Sequence, residues 1–265
     1  MINLQRISIF CCLLTFSCFV FAQKPLPQSH AHNDYDHERP LLDAHSFGFT
    51  SIEADVFEVN GELFVAHDFE DISEERTLEA LYFQPLDSIV KANAGRVYKG
   101  SELPFYLMVD FKNDADASYI ALAKLQKKYT HLFTKLGKTE VYKDGAVTLF
   151  ISGQRPIRLV NNNPELAALD GRPNDLGKGY RTHIMPVISV GFRTYSKWNG
   201  EGKLPKEDRK KIKELVKQTH AEGKKLRFWA IPDNQNSWEQ MEKLGVDFIN
   251  TDKLEEFYWW RTGSK

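Results

Sequence analysis

Residues 105–111 read FYLMVDF, a run almost without a polar side chain. A strand with no polar face cannot lie on a surface and has to be covered on both sides, as the strands of parallel sheets are. Short, largely apolar runs recur at 146–152, 166–170, 184–190, 226–231 and 248–251, a short first strand reads at 29–32, and another strand opens at Ser51. Helical spacing fills most of the gaps. Pro40 opens a helix over 41–47 that Gly48 ends. A broken helical stretch covers 78–90, interrupted by Pro85. Residues 115–133 and 238–244 read as helices. So do 206–222, with Ile212, Leu215, Val216 and Thr219 on one face and Gly223 as the stop. Eight strands, most of them separated by helices, predict an α/β fold, a (β/α)8 TIM barrel. The connection 152–166 is too poor for a full helix, so the barrel should be irregular in its middle. Residues 255–265 read as an aromatic, then polar, tail.

The chain has 265 residues, 42% hydrophobic and 27% charged, with a formal net charge of −1. That composition is globular, and the charge balance argues against a nucleic-acid partner or bulk attraction to membranes. The first 22 residues differ: Arg6 is their one charge, an apolar stretch follows, and Val20-Phe21-Ala22 has small residues suited to cleavage. Residues 1–22 therefore read as a signal peptide, and 23–265 as a single exported domain, periplasmic or extracellular. The apolar stretch is short for a membrane span. Cys11, Cys12 and Cys18 all fall before the expected cut, which leaves no disulfide framework and no thiol chemistry behind it.

Chemistry concentrates in Ser51 to Asp68, SIEADVFEVNGELFVAHD. Glu53 and Asp55 alternate on one face of an otherwise apolar strand, where two acids are costly unless a cation sits between them. Carboxylate oxygens suit a hard divalent ion, Mg²⁺ or Ca²⁺. Asn60-Gly61 is a turn signal. A two-residue loop there would pair Asp55 with Ala66 and turn His67 to the wrong face. A three-residue loop over 59–61 would pair Glu53 with His67, and this second register is the expectation. Other polar groups collect at strand ends, where a barrel of this type carries its function. His30, His32, Asn33 and Asp34 end strand 1, and Asp110 and Lys112 end strand 3. Trp229 lies on strand 7, and Asn250 and Asp252 end strand 8.

AHNDY, IEADV, AHD after an NG turn, and VDFK together resemble the PI-PLC-like phosphodiesterase superfamily. Glycerophosphodiester phosphodiesterases belong to it, and the likeness is greatest to the branch of altered inheritance of mitochondria protein 6. FWAIP and INTDK match more loosely. The resemblance implies a metal-dependent phosphoric diester hydrolase acting on a glycerophosphodiester or phospholipid-type diester. It implies that Glu53, Asp55 and Asp110 bind one divalent cation and that His32 and His67 form the general acid–base pair. Lys112 would contact phosphate and Trp229 would wall the substrate pocket. Where typical relatives carry an arginine after the first histidine, this chain has Asn33. Asn33, Arg155 and Arg172 are thus all open as substrate contacts. Two other readings stand beside this one: an amidohydrolase-type metal barrel built on His30-X-His32, and a non-catalytic exported ligand-binding barrel.

Overall fold

The computed structural model describes residues 23–263, so the expected signal peptide and its cysteines lie outside the described residues. Within them, eight parallel strands close a barrel: β1 (Ser29–Ala31), β2 (Ser51–Val59), β4 (Phe105–Phe111), β7 (Val147–Gly153), β8 (Ala168–Gly171), β9 (Val187–Gly191), β10 (Lys225–Trp229) and β11 (Phe248–Thr251). They neighbour one another in that order, and β1 pairs with both β2 and β11 to shut the ring. An arm, β3 (Glu62–Val65), runs back antiparallel along β2. A small outer hairpin, β5 (Lys135–Leu136) and β6 (Val141–Lys143), lies outside the ring. The apolar runs thus became the eight staves of a TIM barrel.

Helices cover the outside unevenly. They are α1 (Leu42–Ser46), α2 (Gln84–Ala92), α3 (Ala115–Gln126), α4 (Ile157–Asn162), α5 (Lys206–Ala221), α6 (Gln235–Leu244) and α7 (Leu254–Thr262). The connection 152–166, expected to be too poor for a full helix, holds only the six-residue α4 and a 3-10 turn, Pro164–Leu166. Between β8 and β9 the chain also forms one 3-10 turn, Pro173–Asp175, in place of a helix. Pro85 does not break the stretch before it: a π-helical segment, Glu79–Phe83, runs into α2, and Pro85 sits in that helix's first turn, where its missing N–H costs little. Asp114 caps α3 by accepting from the N–H groups of Asp116 and Ala117.

Three expectations are corrected. The hairpin uses the two-residue loop: Val59 pairs with Glu62 and Val56 with Val65. Asn60 and Gly61 both have positive φ, 54° and 84°, the mirror-image turn whose twist matches its strands. His67 still reaches the acids because β3 ends at Val65. The Ala66 N–H bonds the Asp55 carbonyl (3.2 Å), and the chain then bends and swings the imidazole back. The helix expected over 115–133 stops at Gln126. Leu132 and Phe133 are buried all the same, and Phe133 lies against Phe83 with ring centroids 4.8 Å apart. Their apolar spacing therefore reflects a buried turn. The expected tail is helix α7, whose Phe257 packs on Phe49 (5.6 Å) and Trp238 (5.2 Å).

The barrel interior is layered. Its lower end, toward the strand N-termini, is an apolar plug of Met108, Phe150, Ala168, Val187 and Phe248, joined by Leu136. Above the plug the inward positions turn polar: His30, Glu53, Ser152, Asp170, Ser189, Arg227 and Asn250 are all buried. The plug closes the floor, so the polar layer opens only upward, toward the strand C-termini.

Just beyond β1, Asp34 is fully buried. Its Oδ2 accepts from the Leu41 N–H (2.6 Å) and the Tyr82 hydroxyl (2.9 Å), while its Oδ1 has no partner. Burial pushes its carboxyl up to about 7, although both bonds favour the anion. Between the ordinary carboxylate range and about pH 7, the folded chain keeps a proton that the unfolded chain releases. This contribution therefore weakens stability as pH rises through that window. Asp34→Asn cannot ionise. Measured by urea denaturation, its stability relative to the parent should rise steadily from pH 4 to pH 7 and then level off. A difference that does not change with pH would contradict this picture of Asp34.

Candidate active site

The upper mouth of the barrel gathers the polar strand ends. Glu53 and Asp55 project inward from β2. Asp110 comes from β4, in direct register with Asp55. One carboxylate oxygen from each of the three lies within 4.8 Å of the others. Asp55 is almost wholly buried, and its Oδ2 is crowded by Lys112 Nζ (2.7 Å), the Tyr35 hydroxyl (2.6 Å) and His67 Nδ1 (3.0 Å). Its Oδ1, also buried, has no partner. A buried carboxylate oxygen without a donor is costly, and three acids of this hardness around it suit Mg²⁺ or Ca²⁺. These residues fit a divalent cation. Gly153 makes the space: with φ +64°, a Cβ there would stand 2.5 Å from Asp110 Oδ1 and 2.4 Å from the Phe111 carbonyl oxygen.

The two histidines flank this cluster. His32 donates from Nδ1 to Asp252 Oδ1 (2.7 Å), which leaves Nε2 facing the mouth, 3.9 Å from Glu53 Oε2. His67 is anchored by its own Nδ1 to Asp55. One ring therefore leans on the Glu53 side and the other on the Asp55 side. Burial works against a charged His32, but the Asp252 bond and the nearby Glu53 outweigh it and raise its pKa. Burial and the Glu53 charge push the Asp55 carboxyl up to about 6. Burial also raises Asp110. Lys112 is raised, because the charges of Asp110 and Asp55 outweigh its partial burial.

Asn33 adopts a left-handed conformation (φ 49°), and its Oδ1 lies 2.8 Å from the Tyr35 hydroxyl. Trp229 ends β10 and is 46% exposed at the rim. Gly191, beside it on β9, is bare because a Cβ would meet the indole at 2.9 Å. A cavity of about 50 Å³ at this end is bordered by His32, Asn250 and Asp252. A larger cavity, about 550 Å³, opens beside Tyr106 and Thr148 below the plug and touches none of these residues. Charge and register mark the upper mouth as the candidate site, and volume alone would have pointed elsewhere.

Residues 21–168 match the AIM6-like phosphodiesterase domain. The chain belongs to that family. The match runs through β1, β2 and β4 and so takes in His32, Glu53, Asp55, His67, Asp110 and Lys112. Residues 225–255 also match the glycerophosphoryl diester phosphodiesterase family, across β10 and β11 with Arg227, Trp229 and Asp252. Among curated relatives, the altered inheritance of mitochondria protein 6 homolog of Arthroderma benhamiae is 28% identical over 259 residues, covering 87% of this chain and 82% of its own. The Kluyveromyces lactis protein of the same name is 26% identical, covering 87% and 71%. A Saccharomyces cerevisiae one is 26% identical, covering 95% and 75%.

The family match does not single out Arg227, and neither did the sequence. Only 3% exposed, it reaches Glu53 Oε2 (3.3 Å) and donates to His30 Nε2 (2.8 Å) and Ser189 Oγ (3.0 Å). Burial would raise the Glu53 carboxyl, but Arg227, His30 and His32 together hold it well below the usual carboxylate range. Because Arg227 only donates, His30 Nε2 must accept, so the ring's proton sits on Nδ1, which gives it to Ser51 Oγ (2.7 Å). Burial and Arg227 lower His30 to about 4. A histidine fixed in this way is occupied by the protein, and among the described residues the candidate metal cluster is purely carboxylate. This disfavours the amidohydrolase reading. The alternation in KLRFW could have exposed Arg227: it shares the inward positions of β10 with Lys225 and Trp229 and is the one of the three that is buried.

Two outcomes are expected. Arg227→Met leaves Glu53 buried without its cation and should weaken Mn²⁺ binding, followed by electron paramagnetic resonance, by roughly 10–100-fold. Gly153→Ala should lower the thermal midpoint, since a left-handed φ costs an alanine roughly 1–2 kcal/mol. By displacing Asp110 it should also weaken Mn²⁺ binding, whereas Gly61→Ala, with open space around its Cβ position, should lower only the midpoint.

Proposed function

We propose that this protein is an exported, metal-dependent phosphodiesterase that hydrolyses a glycerophosphodiester or a phospholipid-type diester. One observation carries the reading. Two histidines, each anchored through Nδ1 by an acid, border a three-carboxylate cluster that also holds a lysine, His32 at Glu53 and His67 at Asp55. Displacement at phosphorus needs an attacking oxygen on one side and a leaving oxygen on the other, roughly in line. It also needs proton transfer at both, for which histidine is suited near neutral pH.

Glu53, Asp55 and Asp110 would hold one Mg²⁺ or Ca²⁺. When bound, the ion supplies positive charge to phosphoryl oxygens as negative charge builds there. Lys112, carried between Asp55 and Asp110, adds a second positive group facing the same space. One histidine takes the proton of the attacking water or substrate hydroxyl as its oxygen bonds phosphorus. The P–O bond to the leaving alcohol breaks, and the other histidine returns a proton to that oxygen. Asp252 holds His32 in the tautomer that presents Nε2 to the mouth. Asn33 lies beside the Tyr35 hydroxyl that also meets Asp55 and borders the substrate space, and Trp229 walls the rim at β10. The non-catalytic reading has no comparable support, since a binding barrel needs no pair of anchored histidines.

The test is ³¹P NMR of residues 23–265 with a pool of glycerophosphodiesters and lysophospholipids, with Mg²⁺, with Ca²⁺ and with EDTA. A new phosphomonoester or cyclic-phosphate resonance is expected. It should vanish with EDTA and fall at least 100-fold in His32→Ala, the loss of one acid–base group. An unchanged spectrum from folded, metal-loaded protein would overturn the catalytic reading.

A further inference from the structure

Around the barrel, β8 stands four strands from β1 in either direction, so its end faces His32 across the mouth. The candidate catalytic groups crowd the β1, β2 and β4 side. Whatever the phosphorus carries must therefore extend toward β8. There Arg172 follows the last strand residue, Gly171, on the same inward alternation as Ala168 and Asp170.

Arg172 is held from below. Its Nη1 donates to Asp170 Oδ2 (2.6 Å) and its Nη2 to Ser152 Oγ (3.2 Å). Asp170 is fully buried, and its two oxygens accept from Ser152 (2.9 Å) and Ser189 (2.6 Å). Ser152 is also the strand neighbour of Asp110 across β4 and β7, so the guanidinium lies one residue away from the candidate metal cluster. A guanidinium has five N–H donors. The Nε–H and one Nη2 hydrogen of Arg172 have no partner among the described residues, and its side chain is 32% exposed. Arg155 does not compete for the role: its Nη1 is spent on Asp175 (2.7 Å) and the Asp170 carbonyl (2.9 Å).

We propose that Arg172 reads the alcohol portion of the substrate, favouring a phosphodiester that carries a second oxyanion, such as a carboxylate, over one that does not. The inference rests on the phosphodiesterase reading for the position of phosphorus. A planar fork with two donors left over matches a carboxylate. Its anchor is a buried acid satisfied on both oxygens, so the fork is oriented before any ligand arrives. A purely cationic head group, by contrast, offers those donors nothing to accept them.

The matched probes are glycerophosphoserine and glycerophosphoethanolamine, which differ by one carboxylate. Calorimetric titration uses the Ca²⁺-loaded His32→Ala protein, so that binding is read without turnover. The serine diester should bind at least 10-fold more tightly. Adding Arg172→Met with Asp170→Asn removes the fork without stranding a buried charge, because the asparagine keeps one oxygen and offers an N–H to the two serines. The preference should then fall to within 2-fold while Ca²⁺ affinity is retained, and Arg172→Lys alone should restore part of it. Equal binding of the two probes at the start, or a preference that survives in the variant carrying Arg172→Met and Asp170→Asn, would overturn the proposal. Preference without turnover in the wild type would overturn the phosphodiesterase reading alone. If neither diester bound, both readings would be overturned.

Discussion

Three carboxylates share the upper end of this barrel, and the rest of the site is arranged around their mutual repulsion. Two cations answer them from within the protein, Lys112 between Asp55 and Asp110, and Arg227 against Glu53. Burying such charges gains little stability on balance, whereas removing one partner of a buried pair is strongly destabilising. The pairing is therefore better understood as specifying geometry. It fixes which oxygens are taken and leaves Asp55 Oδ1 without a partner. The floor of Phe150, Met108 and Phe248 makes this possible by keeping water from reaching the acids from beneath.

Much of the scaffold could be read directly from the chain. Apolar runs such as 105–111 demanded strands covered on both faces, and Pro40, Gly48 and Gly223 bracketed helices. The candidate site was legible where its residues cluster locally, as in Glu53 and Asp55, or sit at the ends of those runs. Register was harder. Asn60-Gly61 favoured the two-residue turn on backbone grounds, but the wish to bring His67 to the acids argued for a longer one. The structure satisfies both by ending β3 early, a choice that no periodicity records. Arg227 escaped because the charged residues of KLRFW, Lys225 and Arg227, look like surface until strand alternation and barrel closure turn Arg227 inward. Leu254–Thr262 escaped because its aromatic residues lack a clear polar face, and only packing on Phe49 and Trp238 makes it a helix.

Asp170 has a similar history. Nothing marks it in ALDG, yet it links the mouth to the interior through Arg172 on one side and Ser152 and Ser189 on the other. Ser189 in turn accepts from Arg227, which touches Glu53. The candidate metal cluster and the far rim are thus tied by one continuous hydrogen-bonded layer across the barrel. Polar groups buried with every bond satisfied tend to be rigid, so the two sides of the mouth keep a constant spacing.

His67 and its anchor Asp55 are twelve residues apart in the chain, whereas His32 and its anchor Asp252 are separated by 220. The first pair can form in a local hairpin. The second cannot exist until β11 docks on β1. During synthesis, or in any fragment lacking the last strand, the protein would carry an acidic cluster and one anchored histidine but only half of the proposed proton-transfer pair. Closure of the ring is a slow, long-range event in folding terms. The final seam of the barrel thus also completes the proposed histidine pair, which ties that pair to the completion of the fold.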